Sequence, residues 1–206
     1  MPFRVAGLCC LAVCLCPDTG SAGKFNRVLS VGDPAPQWAP LPGVDGTSKA
    51  LKNYADARLL LVVFTCNHCP VAQAYERRII DVTRRYSKRG LQVVAISCSL
   101  LKSDNLQNMK RRARERKYPF DYLHDRSQAT GRAFGATVTP HVFLLDQRRK
   151  IAYMGAVDDN RVPGQVEEHY VVDAVEALLK GQPPEVVESR QKGCPIEYRT
   201  APESRD

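Results

Sequence analysis

Outside its first sixteen residues the chain has no stretch approaching eighteen consecutive apolar residues, so no spanning helix is expected in its body. Histidine occurs only four times, and no second paired cysteine cluster accompanies Cys66 and Cys69. The leftover Cys98, Cys194, His124, His141 and His169 lack the spacing of a structural zinc site, which needs two further ligands. Position 70, directly after the second cysteine, is proline and not histidine, which excludes c-type haem attachment. The net charge is +8, but no groove-reading motif or interleaved aromatics support the basic run KRRARERKY at 110–118. That run reads as a solvated helix face, and no nucleic-acid partner is expected. Repeats and long low-complexity segments are also lacking. With 206 residues, 44% hydrophobic and 25% charged, the chain fits one globular domain with a core.

The N-terminus has the layout of a secretory signal. MPFR supplies a positive start, VAGLCCLAVCLC an apolar segment too short to cross a bilayer, and PDTGSAG a small-residue stretch. A signal peptide over 1–22 is expected, with cleavage after Ala22. Leu11-Ala12-Val13-Cys14 is a near-match to a lipid-attachment box; membrane contact is expected only in that lipid-anchored case. The protein is thus expected to be exported, to a bacterial periplasm or cell envelope. Of eight cysteines, Cys9, Cys10, Cys14 and Cys16 fall in the signal, leaving Cys66, Cys69, Cys98 and Cys194. In an oxidising compartment such thiols pair or do chemistry, and four are too few for a disulfide-stapled scaffold.

Residues 31–60 are rich in Pro and Gly and read as turns and extended segments, with a turn at Asp45-Gly46. LLLVVFT (59–65) and LQVVAIS (91–97) read as strands buried on both faces. Between them, Ala72, Tyr75, Ile79, Val82 and Tyr86 recur at helical spacing over 71–88. A charged helix capped by Ser103 and Asp104 is expected over 104–117, and a short one from Asp125 or Ser127 to near Gly135. HVFLLD (141–146) and KIAYMG (150–155) form a hairpin, and a last helix spans 166–180. The order implies an α/β fold, with parallel strands joined by crossovers and an antiparallel pair at the end. The domain is expected over 30–182, followed by a loosely ordered tail over 183–206.

Cys66 and Cys69 stand where a buried strand turns into a helix. Their Cβ atoms would lie roughly 5–6 Å apart, so a modest adjustment closes a disulfide. The helix N-terminus favours a thiolate. Cys66 precedes the helix and is expected to be exposed, with Cys69 deeper; that asymmetry suits an attacking and a resolving thiol. His68 beside the exposed sulfur would lower its pKa and make the couple more oxidising than thioredoxin at about −270 mV. Thr139-Pro140, just before a strand, is an odd place for proline unless it caps an edge or adopts a cis bond. A cis bond would present the Thr139 backbone to a substrate chain. Copper held by the two thiolates and a histidine, and a purely structural bridge, are the alternatives; a three-residue loop stabilises little.

The blocks GDPAPQW, VVFTCNHCPVA, VVAIS, GATVTPHVFLLD and YMGAVDD, in this order, resemble the thioredoxin-like redoxins. That group includes alkyl hydroperoxide reductase/thiol-specific antioxidant proteins and exported thiol–disulfide oxidoreductases. The tail KGCPIEYR resembles one peroxiredoxin-like branch. The resemblance implies a thioredoxin-like fold with a central mixed sheet flanked by helices. It further implies Cys66 as nucleophile, Cys69 as resolving thiol in a redox-active Cys66–Cys69 disulfide, and Pro140 as the cis-proline. Cys194 in the tail stays open between an additional resolving thiol that reaches the site and a thiol that pairs with another chain. No cofactor and no metal is implied. The implied partners are protein or small-molecule disulfides, with peroxides under a peroxidase alternative, and a thiol reductant or oxidant. Two departures stand out. Cys66 occupies the place of the threonine three residues before a peroxidatic cysteine, and Leu60 stands where thioredoxins carry a buried acid.

Overall fold

The structure is a computed structural model that describes residues 22–200; the expected signal segment before residue 22 lies outside them. Its centre is a five-stranded sheet of order β5-β4-β3-β7-β8, comprising β3 (Leu59–Phe64), β4 (Leu91–Ser97), β5 (Asp121–His124), β7 (His141–Leu145) and β8 (Ile151–Gly155). β3, β4 and β5 run parallel, and β7 and β8 are antiparallel. Before them β1 (Leu41–Pro42) and β2 (Ser48–Lys49) pair around the expected Asp45-Gly46 turn. Helices α1 (Pro70–Tyr86), α2 (Leu106–Arg116), α3 (Ala129–Ala133) and α4 (Tyr170–Leu179) complete the fold. This is the thioredoxin-like α/β arrangement that the resemblance implies.

Every residue of β3 is buried, as its unbroken apolar run requires of a central strand covered on both sides. Alternation along the strand sends Leu60, Val62 and Phe64 to one face, where they meet Trp38, Phe134 and Phe143. Leu61 and Val63 go to the other face, against Tyr75 and Ile79 of α1 and Val171 and Val175 of α4. The carboxyl end of β3 is thereby clamped from both sides, and the loop it feeds is held in a fixed place.

One strand has no counterpart in the sequence expectations, and three expectations need correction. Asp121–His124 forms a strand because it pairs with β4; its short, mixed run carries no alternation. The cap of α2 is Asn105, which accepts from the Asn108 amide at 2.9 Å, not Ser103 or Asp104. The last helix starts at Tyr170 rather than 166, since Pro163–Gln165 forms a separate 3-10 turn. Over its described residues, up to 200, the tail is packed, not loose. Its β9 (Cys194–Pro195) pairs antiparallel with β6 (Val138–Thr139). The Ile196 amide then donates to Thr137 O, and the Tyr198 hydroxyl to Ala136 O.

Candidate active site

β3 delivers Thr65–Cys69 to the top of the sheet, and Cys69 is the N-cap of α1 with Pro70 at the first helical position, where a missing N–H costs nothing. The Cys69 sulfur accepts from the Ala72 amide at 3.3 Å and lies 3.2 Å from Thr139 O. Cys66 Sγ sits 3.3 Å from the Thr139 hydroxyl and 4.0 Å from His68 Nε2. The Thr139–Pro140 bond is cis, as expected. Cys66, Cys69, His68 and Thr139 therefore converge as the sequence reading places them, with Pro140 next in the chain.

Asp104 was read as a helix cap and is the residue that reading missed. It is fully buried. Its Oδ1 accepts from the Asn67 and His68 amides at 2.5 and 3.2 Å. Its Oδ2 holds His68 Nδ1 at 2.5 Å and accepts from the Ser99 hydroxyl at 2.7 Å. A carboxylate on one imidazole nitrogen fixes the ring so that Nε2 faces the Cys66 sulfur. Asn67 is itself anchored: its side chain donates to Ser103 O at 3.0 Å and accepts from the Tyr122 hydroxyl at 3.1 Å. No local signal marks Asp104, because an aspartate before a helix is usually its cap and the partners lie 36 residues away.

Cys66 is 4% exposed, not open as expected, because the docked tail and the Thr139 segment cover it. Burial pushes its thiol above the ordinary range; the Thr139 hydroxyl opposes this, and the Asp104 carboxylate adds to it. The expected lowering does not hold in this state. Replacing Thr139 with valine should therefore move the pH dependence of Cys66 alkylation by iodoacetamide upward; an unmoved curve would sever Thr139 from the sulfur.

The bridge in the structure joins Cys69 to Cys194, with Cα atoms 6.0 Å apart; Cys66 is free. This differs from the expected 66–69 pair. The reason lies in β9: Thr139 and Cys194 are register partners, which sets Cys194 over the helix N-cap. Cys98 is buried, lies 3.6 Å from Asp125 Oδ2, and its thiol is pushed far up by burial, as fits an inert core thiol. Among the described residues, one group could gather ligand atoms for a metal: Cys66, His68 and Asp104, within 4.8 Å of one another. Both Asp104 oxygens are already engaged, so the carboxylate orients the histidine rather than serving as a free ligand.

An open cavity of about 380 Å³ reaches this cluster, lined by Cys66, His68, Leu101, Thr139, Ile196 and Tyr198 among others. Its walls are thus partly tail. No helix among the described residues is long and apolar enough to cross a membrane.

Comparison with known proteins places this geometry. The Redoxin family model matches residues 30–170. No curated protein matches. Among solved structures, a hypothetical protein from Sinorhizobium meliloti 1021 is 29% identical, with a TM-score of 0.77, covering 85% of this chain and 98% of its own. An uncharacterised conserved protein from Geobacillus kaustophilus is 30% identical, with a TM-score of 0.76, covering 86% and 96%. A Chlorobium tepidum protein assigned as the thiol:disulfide interchange protein DsbE shares the fold at 23% identity and a TM-score of 0.54, over 61% of this chain and 84% of that one.

Proposed function

The chain belongs to the Redoxin family, and from that premise we propose that it is an exported thiol–disulfide oxidoreductase working through Cys66 and Cys69. The observation that carries this reading is the contact of one residue with both sulfurs. Thr139 places its hydroxyl 3.3 Å from Cys66 Sγ and its carbonyl 3.2 Å from Cys69 Sγ.

Cys66 is buried with a raised pKa, so little thiolate forms unaided, and only the thiolate attacks a disulfide. His68 Nε2 takes the thiol proton, and Asp104 stabilises the imidazolium that results. Asp104 is a positioning residue, since it acts through His68. The Cys66 thiolate attacks a substrate disulfide and forms a mixed disulfide. Cys69 then attacks the Cys66 sulfur and releases the second substrate thiol, leaving Cys66–Cys69 bridged. The Thr139 hydroxyl donates to the Cys66 sulfur as charge builds on it. The same steps reversed oxidise a dithiol. Substrates are protein or small-molecule disulfides, and a thiol reductant or oxidant partner closes the cycle.

A peroxidase reading has one observation in its favour. The Thr139 hydroxyl stands 3.3 Å from Cys66 Sγ, where it would hold a hydroperoxide against that sulfur. Cys66 would then attack a hydroperoxide, giving a sulfenic acid and water or an alcohol, and Cys69 would condense with it to the bridge. Turnover of hydrogen peroxide against hydroxyethyl disulfide separates the two readings.

The test is a titration of the pure protein in glutathione buffers, with the bridged fraction counted by alkylation and mass. A reversible two-electron transition that Cys69→Ser abolishes is expected. If no bridge forms anywhere in the range, the reading fails.

A further inference from the structure

The tail that packs over the site is built to be there. Gln128 donates to Glu197 O at 2.8 Å and accepts from the Arg199 amide at 2.9 Å, while Ile196 and Tyr198 hydrogen-bond to 137 and 136. β9 lies antiparallel along β6, with Cys194 opposite Thr139. That is the edge on which an extended substrate chain would add a strand. Gly193 makes the approach feasible: a Cβ there would stand 2.2 Å from Thr139 O. The tail thus occupies the docking edge as a substrate would and carries its own cysteine to Cys69.

Burial grades along the three sulfurs. Cys69 is fully buried and Cys66 nearly so, while Cys194 is half-buried. A disulfide held between Cys66 and Cys69 is closed to a bulky reductant; one held between Cys69 and Cys194 has an accessible end. We infer that Cys194 is a third catalytic thiol, which takes the disulfide from the Cys66–Cys69 pair and carries it outward. This rests on the oxidoreductase reading above.

The steps balance within the chain. After substrate reduction, enzyme and substrate have exchanged two electrons and the enzyme holds the Cys66–Cys69 bond. The Cys194 thiolate attacks the Cys69 sulfur; the Cys69–Cys194 bond forms, the Cys66–Cys69 bond breaks, and the electron pair returns to Cys66 as thiolate. Cys66, facing the cavity, is restored while the enzyme remains oxidised by one bridge. A dithiol reductant's thiolate next attacks Cys194 and expels Cys69 as thiolate; the reductant's second thiolate then attacks its own sulfur in that mixed disulfide, freeing Cys194 and leaving the reductant as the disulfide. Because the tail fills the β6 edge, the substrate that meets Cys66 in the docked state is a small disulfide entering by the cavity. A polypeptide must first displace the tail.

The experiment mixes fully reduced protein with hydroxyethyl disulfide, quenches in acid at intervals, alkylates with N-ethylmaleimide and maps disulfides by peptide mass. In the full chain a Cys66–Cys69 bridge should appear first and decay into Cys69–Cys194 with Cys66 alkylated. Cys194→Ser should stop at Cys66–Cys69. Gly193→Ala keeps all three thiols but misplaces Cys194, and should slow the decay at least about tenfold, as an ångström of misplacement does for positioned groups. A Cys66–Cys69 bridge that persists in the full chain with Cys194 alkylated overturns the relay and leaves the oxidoreductase reading standing. Formation of Cys69–Cys194 at an unchanged rate in Cys66→Ser overturns it too. No bridge in either the full chain or Cys194→Ser sinks both.

Discussion

Replacing Asp104 with asparagine slows reduction of hydroxyethyl disulfide about 10²–10³-fold, and at the same time moves the Cys66 titration to lower pH. The two effects have opposite meanings, which is what makes them informative. Asp104 is fully buried and holds His68 Nδ1 at 2.5 Å. Asparagine keeps much of the shape but removes the charge, so the imidazolium formed when His68 takes the Cys66 proton loses its partner. The same carboxylate raises the Cys66 pKa, so its loss eases ionisation of the sulfur. A thiol that ionises more readily yet turns over more slowly has lost its proton-transfer apparatus. Mere unfolding of the loop would alter both in another way, and circular dichroism with iodoacetamide kinetics against pH reads the difference. Glutamate at 104 should recover part of the rate. A variant whose rate and titration both stay put would remove Asp104 from the mechanism.

Acid should weaken the fold by roughly 3 kcal/mol between pH 7 and 4 through His141 alone, taking 1.36 kcal/mol for each pKa unit. This side chain is 1% exposed, lies against Phe143 with ring centroids 4.6 Å apart, and its buried Nδ1 finds no partner among the described residues. Burial brings its pKa down to about 4, against about 6.5 in the unfolded chain. Between those values the unfolded state binds the additional proton. Stability is therefore whole above pH 6.5 and declines as pH falls toward 4. Urea midpoints of the protein and a His141→Leu variant, compared at pH 7, 5.5 and 4, isolate the effect, because the carboxylate background is common to both. The difference between them should change with pH in favour of leucine on the acid side; a constant difference would show that His141 does not carry the proton. Its burial against Phe143 fits a core role.

The strands β3 and β4 and the helix between them were legible because a long apolar run and a three-to-four spacing each have one reading. The position of Cys66 and Cys69 at the junction of strand and helix was legible, but not the partner of Cys69, which is Cys194 in the structure. What escaped depends on contacts far apart in the chain. Asp121–His124 is a strand only because β4 lies beside it. Asp104 looks like a cap until the fold brings its carboxylate under His68, leaving Asn105 to cap α2. KGCPIEYR gave a cysteine but no sign that Gly193 lets the tail lie flat on Thr139. With the tail docked, Cys66 is 4% exposed, not the open sulfur that was expected to make the couple more oxidising than thioredoxin. Leu60, which stands where thioredoxins carry a buried acid, packs in the core; the buried carboxylate beside His68 is Asp104.

The central claim is that Cys66 is the attacking thiol, and a Cys69→Ser variant tests it most directly. Without the resolving thiol, reaction with hydroxyethyl disulfide should stop at a mixed disulfide, and peptide mass mapping should find the probe on Cys66. An adduct on Cys194 or Cys98, with Cys66 still open to alkylation, would contradict the account.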